Sequence, residues 1–264
     1  MPESDLELLT AAAQAAGQIA SDYAAGENRV WSKGADDPVS DADLAVNQYL
    51  HDFLRAARPS YGWLSEESED DPSRCAANRV FVVDPIDGTR AFVAGEATWA
   101  HSLAVVEHGR PVTAVVYLPM KDKLYSAQRG GGARKNGQRI TATRTSEIAD
   151  ATLLASRPAL DPKHWHGSPP EVTRVFRPSI AYRICLVAEG RYDGMLTIRE
   201  TWEWDSAGGA LIAAEAGAVV SDGCGAALRF NNPHPTTQGI LVAGAALHQK
   251  LADRLACEPV RNGP

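Results

Sequence analysis

The sequence has few of the features that mark secreted, membrane-bound or nucleic-acid-coating proteins. Its four cysteines lie far apart with no C-x-x-C pair, so we expect neither a zinc site nor a dense disulfide framework. No apolar run approaches the roughly 20 residues of a membrane span, and the start, MPESDLELL, lacks a signal peptide's basic and apolar regions. With 26 Lys and Arg against 33 Asp and Glu, the net charge is −7, which argues against a basic stripe for nucleic acid. We therefore expect a cytoplasmic protein that binds neither a membrane nor a nucleic-acid polymer.

The hydrophobic pattern changes along the chain and predicts two halves. Residues 1–145 begin with two helix patterns, at 5–25 and from Ser40 to Pro59, and continue as a meander of strands. The glycine-rich stretch 129–137 lacks the ending of a phosphate-binding loop, so we interpret it as a hairpin. Residues 146–264 alternate strand and helix patterns instead. We therefore predict an α+β half followed by an α/β half.

The strongest chemical signal is the hexapeptide Asp84-Pro85-Ile86-Asp87-Gly88-Thr89, which follows the apolar run 80–83. A buried strand that ends in a Pro- and Gly-built turn projects two carboxylates and a hydroxyl from one point. Two carboxylates held this close repel each other unless a cation lies between them. Because oxygen-only ligands select hard cations, Mg²⁺ is the expected ion.

Three other acidic positions add to this signal. Glu66 follows an apolar stretch, whereas Asp43 and Asp205 fall in the first turns of predicted helices. Each alone is more commonly a solvated loop residue or a helix-start residue favoured by the helix dipole. It is their combination with the hexapeptide that predicts a metal site.

This combination resembles the inositol monophosphatase superfamily of Mg²⁺-dependent, Li⁺-sensitive phosphomonoesterases. The matching stretches are Lys33 with 38–43, 65–68, 84–89 with Phe92, Trp204-Asp205-x-Ala207 and 215–217. The resemblance implies a layered α-β-α-β-α sandwich of the inositol monophosphatase and fructose-1,6-bisphosphatase type. It places two to three Mg²⁺ ions between the halves, with a small phosphorylated metabolite as the substrate. A homodimer is compatible with this interpretation.

The resemblance also implies a role for each matching residue. The first metal would be held by Glu66, Asp84 and the Ile86 carbonyl, the second by Asp84, Asp87 and Asp205, and a weaker third through Glu66. Thr89, hydrogen-bonded to Asp43, would help to deprotonate the attacking water. Glu66 is expected to be a catalytic residue as well as a metal ligand. The expected phosphate and substrate contacts are Gly88, Thr89, Lys33, Arg183 and Ser179.

The substrate is less well specified by the sequence. The stretch from Ser179 to Gly190 resembles the bisphosphate nucleotidase branch, whose members carry a basic residue where Arg183 stands. Ile198 occupies the position where animal inositol monophosphatases place a Glu that contacts sugar hydroxyls. A 3′(2′),5′-bisphosphate nucleotidase is therefore favoured. The alternatives are an inositol-1-phosphate or general sugar phosphatase, a histidinol-phosphate phosphatase and, in another class, a catalytically silent protein that binds metal and a phosphorylated metabolite.

Overall fold

The computed structural model describes residues 4–32, 34 and 38–256. The helices are α1 (Asp5–Ala25), α2 (Asp41–Ala57), α3 (Thr89–Val93), α4 (Ile180–Ala188), α5 (Glu203–Glu215) and α6 (Ala245–Ala252). Among the described helices, none is long and apolar enough to cross a membrane.

The strands form two large sheets and a small hairpin. The hairpin pairs β1 (Val30–Ser32) with β2 (Pro38–Ser40). The first sheet has seven strands in chain order: β3 (Gly62–Ser65), β4 (Arg79–Asp87), β5 (Ala100–Glu107), β6 (Arg110–Leu118), β7 (Lys123–Gln128), β8 (Gly132–Lys135) and β9 (Gln138–Arg139). The second has five: β10 (Thr152–Ala155), β11 (Thr173–Val175), β12 (Gly194–Trp202), β13 (Ala218–Ser221) and β14 (Thr236–Gly244), in the order β11-β10-β12-β14-β13.

Helices and sheets stack in five layers. Helices α1 and α2 bury their apolar faces on one side of the first sheet. Helices α4 and α5 fill the space between the two sheets, and α6 covers the outer side of the second sheet. The predicted α-β-α-β-α layering is therefore confirmed, whereas the division near residue 145 stays a prediction.

Local sequence signals explain where the first two helices begin. Ser4 and Glu7 form a capping box at the start of α1, and Ser40 and Asp43 form another at the start of α2. In each box, the third helical residue accepts a hydrogen bond from the backbone N–H of the cap residue. The second box also fixes Asp43 beside the site described below.

Strand β12 differs most from its predicted range. The apolar pattern predicts a strand over 192–198, but β12 continues to Trp202. The register of β12 against β14 shifts between Thr197 and Glu200. Such an irregularity interrupts the alternation of apolar and polar residues that marks a strand, so the last part of β12 was not predicted. The hairpin predicted for 129–137 is confirmed by the pairing of β7, β8 and β9.

Candidate active site

The hexapeptide forms the end of β4 and the turn into α3. The register of β4 against β5 shifts between Asp84 and Asp87, which turns both carboxylates toward one side. Gly88 has a φ of +100°, a conformation that L residues rarely adopt. Directly after it, Thr89 begins the short helix α3. The sequence thus supplies a glycine where the backbone needs one.

Three carboxylates converge at this turn. Asp84, Asp87 and Asp205 each offer an oxygen, and these atoms all lie within 4.8 Å of one another. Asp84 and Asp87 are buried, and Asp205 is partly exposed. Glu66 and Asp205 line the same cavity. The cluster brings together residues that are remote in the sequence, because Asp205 lies on α5 and the other two carboxylates lie on β4.

The electrostatics of the cluster favour a bound cation. Burial and the neighbouring charges, Glu66 first, raise the pKa of Asp84 well above its usual range. Burial and the charge of Asp87 raise the pKa of Asp205 to about 8. The Oδ1 atom of Asp84 is buried and accepts no hydrogen bond from the described residues. A hard divalent cation fits this all-oxygen set and would supply the missing partner.

Asp87 is held by the start of helix α4. Its Oδ2 atom accepts hydrogen bonds from the Ser179 hydroxyl at 2.6 Å and the Ala181 N–H at 2.6 Å, and its Oδ1 atom from the Ile180 N–H at 3.1 Å. These N–H groups would otherwise lack partners at the helix end. These hydrogen bonds fix the carboxylate in position and favour its charged form, but burial outweighs them and raises the pKa of Asp87 above its usual value.

Thr89 lies within hydrogen-bonding distance of Asp43. The Thr89 hydroxyl lies 3.2 Å from Asp43 Oδ1 and 3.1 Å from the Ile86 carbonyl oxygen. The Ser40 N–H and hydroxyl donate to the other oxygen of Asp43 at 2.8 and 2.6 Å. Burial raises the pKa of Asp43, against the lowering effect of these hydrogen bonds. A threonine hydroxyl paired with a fixed carboxylate can pass on a proton.

The loop that carries Glu66 is anchored by Asn47 of α2. The Asn47 Oδ1 atom accepts a hydrogen bond from Ser65 at 2.7 Å, and its amide donates to the Glu67 carbonyl and the Ser68 hydroxyl, each at 3.1 Å. This role of Asn47 was not predicted, because the residue stands in a helix pattern with no motif around it.

A cavity of about 620 Å³ opens above the carboxylates. Arg183 lines this cavity and is only 6% exposed. Its Nε donates a hydrogen bond to the Ser179 carbonyl at 3.3 Å, and its guanidinium lies 5.4 Å from the ring centre of Phe176. Burial lowers the pKa of Arg183 to about 10. Among the described residues, no carboxylate forms an ion pair with it. Arg199 and Trp202 complete this wall of the cavity.

Two of the predicted substrate contacts, Lys33 and Ser179, are not placed by the structure as groups that can bind the substrate. Lys33 lies outside the described residues, and the hydroxyl of Ser179 is already engaged with Asp87 and with the Tyr182 N–H at 3.0 Å. Arg199 was missed, since the sequence directed attention to its neighbour Ile198. Ile198 instead packs against the core beside α6, because adjacent strand residues face opposite sides.

Comparisons with known proteins agree with this architecture. The model of the inositol monophosphatase family matches residues 1–261. An inositol-1-monophosphatase of Mesorhizobium japonicum is 33% identical over 97% of this chain and 97% of that protein. One of Rhizobium meliloti is 34% identical over 81% of this chain and 84% of that protein.

A solved structure gives the same result at the level of the fold. The crystal structure of the extragenic suppressor protein suhB from Bartonella henselae superposes with a TM-score of 0.79 at 28% identity, covering 93% of this chain and 96% of that one. Members of the matched family are phosphatases. Given this match along almost its whole length, the chain belongs to the inositol monophosphatase family of phosphatases.

Proposed function

We propose that this chain hydrolyses a small phosphate monoester with Mg²⁺ as its cofactor, and that the preferred substrate is a 3′(2′),5′-bisphosphate nucleotide. The observation that carries the choice of substrate is Arg183, a buried guanidinium that lines the cavity and forms no ion pair with a carboxylate of the described residues. Its charge suits a second phosphate on the substrate. The cytoplasm as the place of the reaction and a homodimeric assembly stay predictions.

The proposed metal ligands are Glu66, Asp84, Asp87, Asp205 and the Ile86 carbonyl. Mg²⁺ bound there would polarise the phosphate and stabilise the developing charge on the leaving oxygen. Gly88 and Thr89 lie at the cavity wall beside these ligands, and their N–H groups are the proposed contacts to phosphate oxygens. The role of Asp87 is to present its carboxylate in one fixed orientation, which its three hydrogen bonds from residues 179–181 favour.

Thr89 and Asp43 are the proposed route for the proton of the attacking water. The Thr89 hydroxyl has one proton, so when it donates to Asp43 its lone pairs remain available to accept a hydrogen bond from water. As the water attacks the phosphorus atom, its proton moves toward Thr89 Oγ1 while the threonine proton moves toward Asp43 Oδ1. The separation of 3.2 Å between these oxygens is long for a hydrogen bond and would shorten with substrate bound.

The outer part of the cavity supports a nucleotide over a smaller polyol. Trp202 is 43% exposed and stacks on Trp204, with ring centres 4.7 Å apart and planes 8° apart. A rigid, flat indole at the cavity wall can stack against a nucleobase, which is worth about 1–3 kcal/mol per base. Arg199 adds a second positive charge at the same wall.

Inositol 1-phosphate is the second candidate substrate. It is favoured by the printed names of the two rhizobial relatives, which are 33% and 34% identical to this chain. It carries a single phosphate, so it would leave Arg183 without an anionic partner. Histidinol phosphate, the third alternative, likewise offers no second phosphate.

A substrate panel with two arginine variants tests the proposal. The ratio kcat/KM is measured with Mg²⁺ for adenosine 3′,5′-bisphosphate, inositol 1-phosphate and histidinol phosphate. Because a hydrogen bond to a charged group is worth about 1.5–3 kcal/mol, we expect Arg183→Ala to lose about ten- to a hundredfold on the bisphosphate. The monophosphates should be nearly unaffected. Arg191→Ala is the control, since Arg191 is exposed at the far end of the same segment. Equal, small losses on all substrates would remove the case for a nucleotidase.

A further inference from the structure

A buried polar network lies behind the carboxylate cluster and connects the two halves of the chain. At its centre is Glu203, the first residue of α5, which is fully buried. Its carboxylate accepts hydrogen bonds from the Asn231 N–H at 2.5 Å, the Asn232 N–H at 3.0 Å and the Asn232 side-chain amide at 2.7 Å. The start of α5 is thereby tied to the segment before β14.

Arg74 extends this network into the first half of the chain. Its side chain is 1% exposed, and it donates to the Asn231 Oδ1 atom at 2.7 Å and to the Asn232 carbonyl at 3.0 Å. The same guanidinium makes a bidentate pair with Asp70, at 2.5 and 2.9 Å. Asn231 returns a hydrogen bond to the Arg74 carbonyl at 3.2 Å and is held at a φ of +62°. We call these groups the Glu203–Arg74 network.

The network connects two segments that supply carboxylates to the site. Asp70 lies four residues after Glu66 in the acidic loop 66–71, and Asp205 lies two residues after Glu203. Buried charges are costly unless all their hydrogen bonds are satisfied, and here several bonds lock the two segments in one register. We propose that Glu203 and Arg74 are positioning residues that set the separation of Glu66 and Asp205 across the metal site. This inference rests on the proposed function, which places Mg²⁺ between those carboxylates.

The test measures metal binding without substrate. In Glu203→Gln, an NH₂ group replaces one carboxylate oxygen, so one of the donors from residues 231–232 loses its acceptor. Removing a group that hydrogen-bonds a metal ligand typically costs 10–100-fold in metal affinity. Glu203 acts one step further away, through the start of α5, so we expect the dissociation constant for Mg²⁺, measured by calorimetry, to rise by about three- to tenfold. At saturating Mg²⁺, KM for the substrate should be nearly unchanged. The control is Glu200→Gln, since Glu200 is exposed and hydrogen-bonds only outside the network, to Thr236.

A second variant covers the case in which Glu203→Gln does not fold. Asp70→Asn weakens the exposed end of the network, where the Asp70 side chain is 37% exposed, and should raise the Mg²⁺ dissociation constant in the same direction by a smaller factor. If the unfolding temperature falls while the Mg²⁺ dissociation constant stays within twofold of the parent, the network is only structural and the inference is wrong. If the parent chain itself binds no Mg²⁺, the proposed function fails and the inference fails with it.

Discussion

Asp84 illustrates two opposing requirements on one side chain. Its burial and the charges of Glu66 and Asp87 make ionisation costly when no cation is present. The same features make it a strong ligand once a divalent cation is bound. An amide of the same size would relieve the repulsion but would bind the cation poorly.

Asp84→Asn should therefore change activity and stability in opposite directions. We expect kcat with Mg²⁺ to fall more than tenfold, a loss of at least about 1.4 kcal/mol of transition-state stabilisation. When a chelator removes the metal, the unfolding temperature of the variant should be higher than that of the parent protein, because a repelling charge has been removed. Each kcal/mol of added stability corresponds to about 2–4 °C for a chain of this size.

Asp150→Asn is the matched control, since Asp150 is exposed and remote from the cluster. Calorimetric melting with and without Mg²⁺ measures the stability effect. A variant that keeps more than a tenth of kcat would rule out Asp84 as a shared metal ligand.

Thr89→Ala should lower kcat far more than it raises KM. The hydroxyl is proposed to act on the water and not on the substrate, so its loss appears in the transition state. Asp43→Asn should give a similar deficit. Because the two groups form one hydrogen-bonded unit, the double variant should be no worse than the poorer single one. Steady-state kinetics on all three variants measure this, and additive losses would show that the pair does not share a proton.

The residues of the candidate site were predicted to different degrees. Asp84, Asp87 and Thr89 could be proposed from the sequence because they fall in one contiguous turn whose chemistry is visible there. Asp205 required the resemblance, since an acid at a helix start is common. Asn47 and Arg74 could not have been found, because each acts through contacts with segments that are remote in the sequence. Arg199 was missed because the resemblance directed attention to its neighbour Ile198.

Helix α5 shows how an element made of small residues positions the site. Its Gly-Gly-Ala stretch lets the helix lie close to both neighbours: a Cβ at Gly208 would lie 3.1 Å from the Ser102 hydroxyl, and one at Gly209 would lie 2.9 Å from the Ile184 Cβ. The Ser102 hydroxyl also donates to the Trp204 carbonyl at 3.0 Å. These close approaches bring Asp205 to the end of β4.

Gly209→Ala should destabilise the protein by pushing α5 away from α4. Overpacking of this kind typically costs about 1–3 kcal/mol, measured as a change in the free energy of unfolding in urea. Ile184→Ala removes part of the obstructing side chain, so the double variant should lose less than the two single losses added together. A simple sum would mean that the two side chains do not meet.

Helices and strands were predicted well where their hydrophobic pattern is regular. They were predicted poorly where a strand forms only because it pairs with another strand. Helix α1 and strand β10 match the ranges that the sequence pattern predicts, 5–25 and 152–155, because amphipathic spacing and a buried apolar run are strong local signals. The short strands β1, β2 and β11 were not predicted, since three residues carry no periodicity. Their existence depends on partners elsewhere in the chain.

At the scale of the whole molecule, one core serves both halves. The largest apolar cluster includes Val82 and Val116 of the first sheet together with Leu211 of α5 and Val242 of the second sheet. Neither half could bury its inner face alone. The order of the layers could be predicted from the resemblance to a known family. The local sequence pattern alone predicted the two halves but not how they stack on each other.

Thermal unfolding should therefore show a single cooperative transition. With a shared core, the calorimetric and van't Hoff enthalpies should agree. Each Mg²⁺ that binds at a hundred times its dissociation constant should stabilise the protein by about 2.7 kcal/mol. Differential scanning calorimetry with and without Mg²⁺ measures both quantities. Two separated transitions would mean that residues 1–145 and 146–264 unfold independently.

The location of the carboxylates on β4 and α5 also has a consequence during synthesis. Chains emerge from the ribosome with the N-terminal part first, so the hexapeptide turn is made well before Asp205 exists. Until α5 packs on the first sheet, these acids remain hydrated and repel one another little. The carboxylate cluster is therefore incomplete until residues 203–215 have been made and packed, and we expect a chain that ends before Asp205 to lack phosphatase activity.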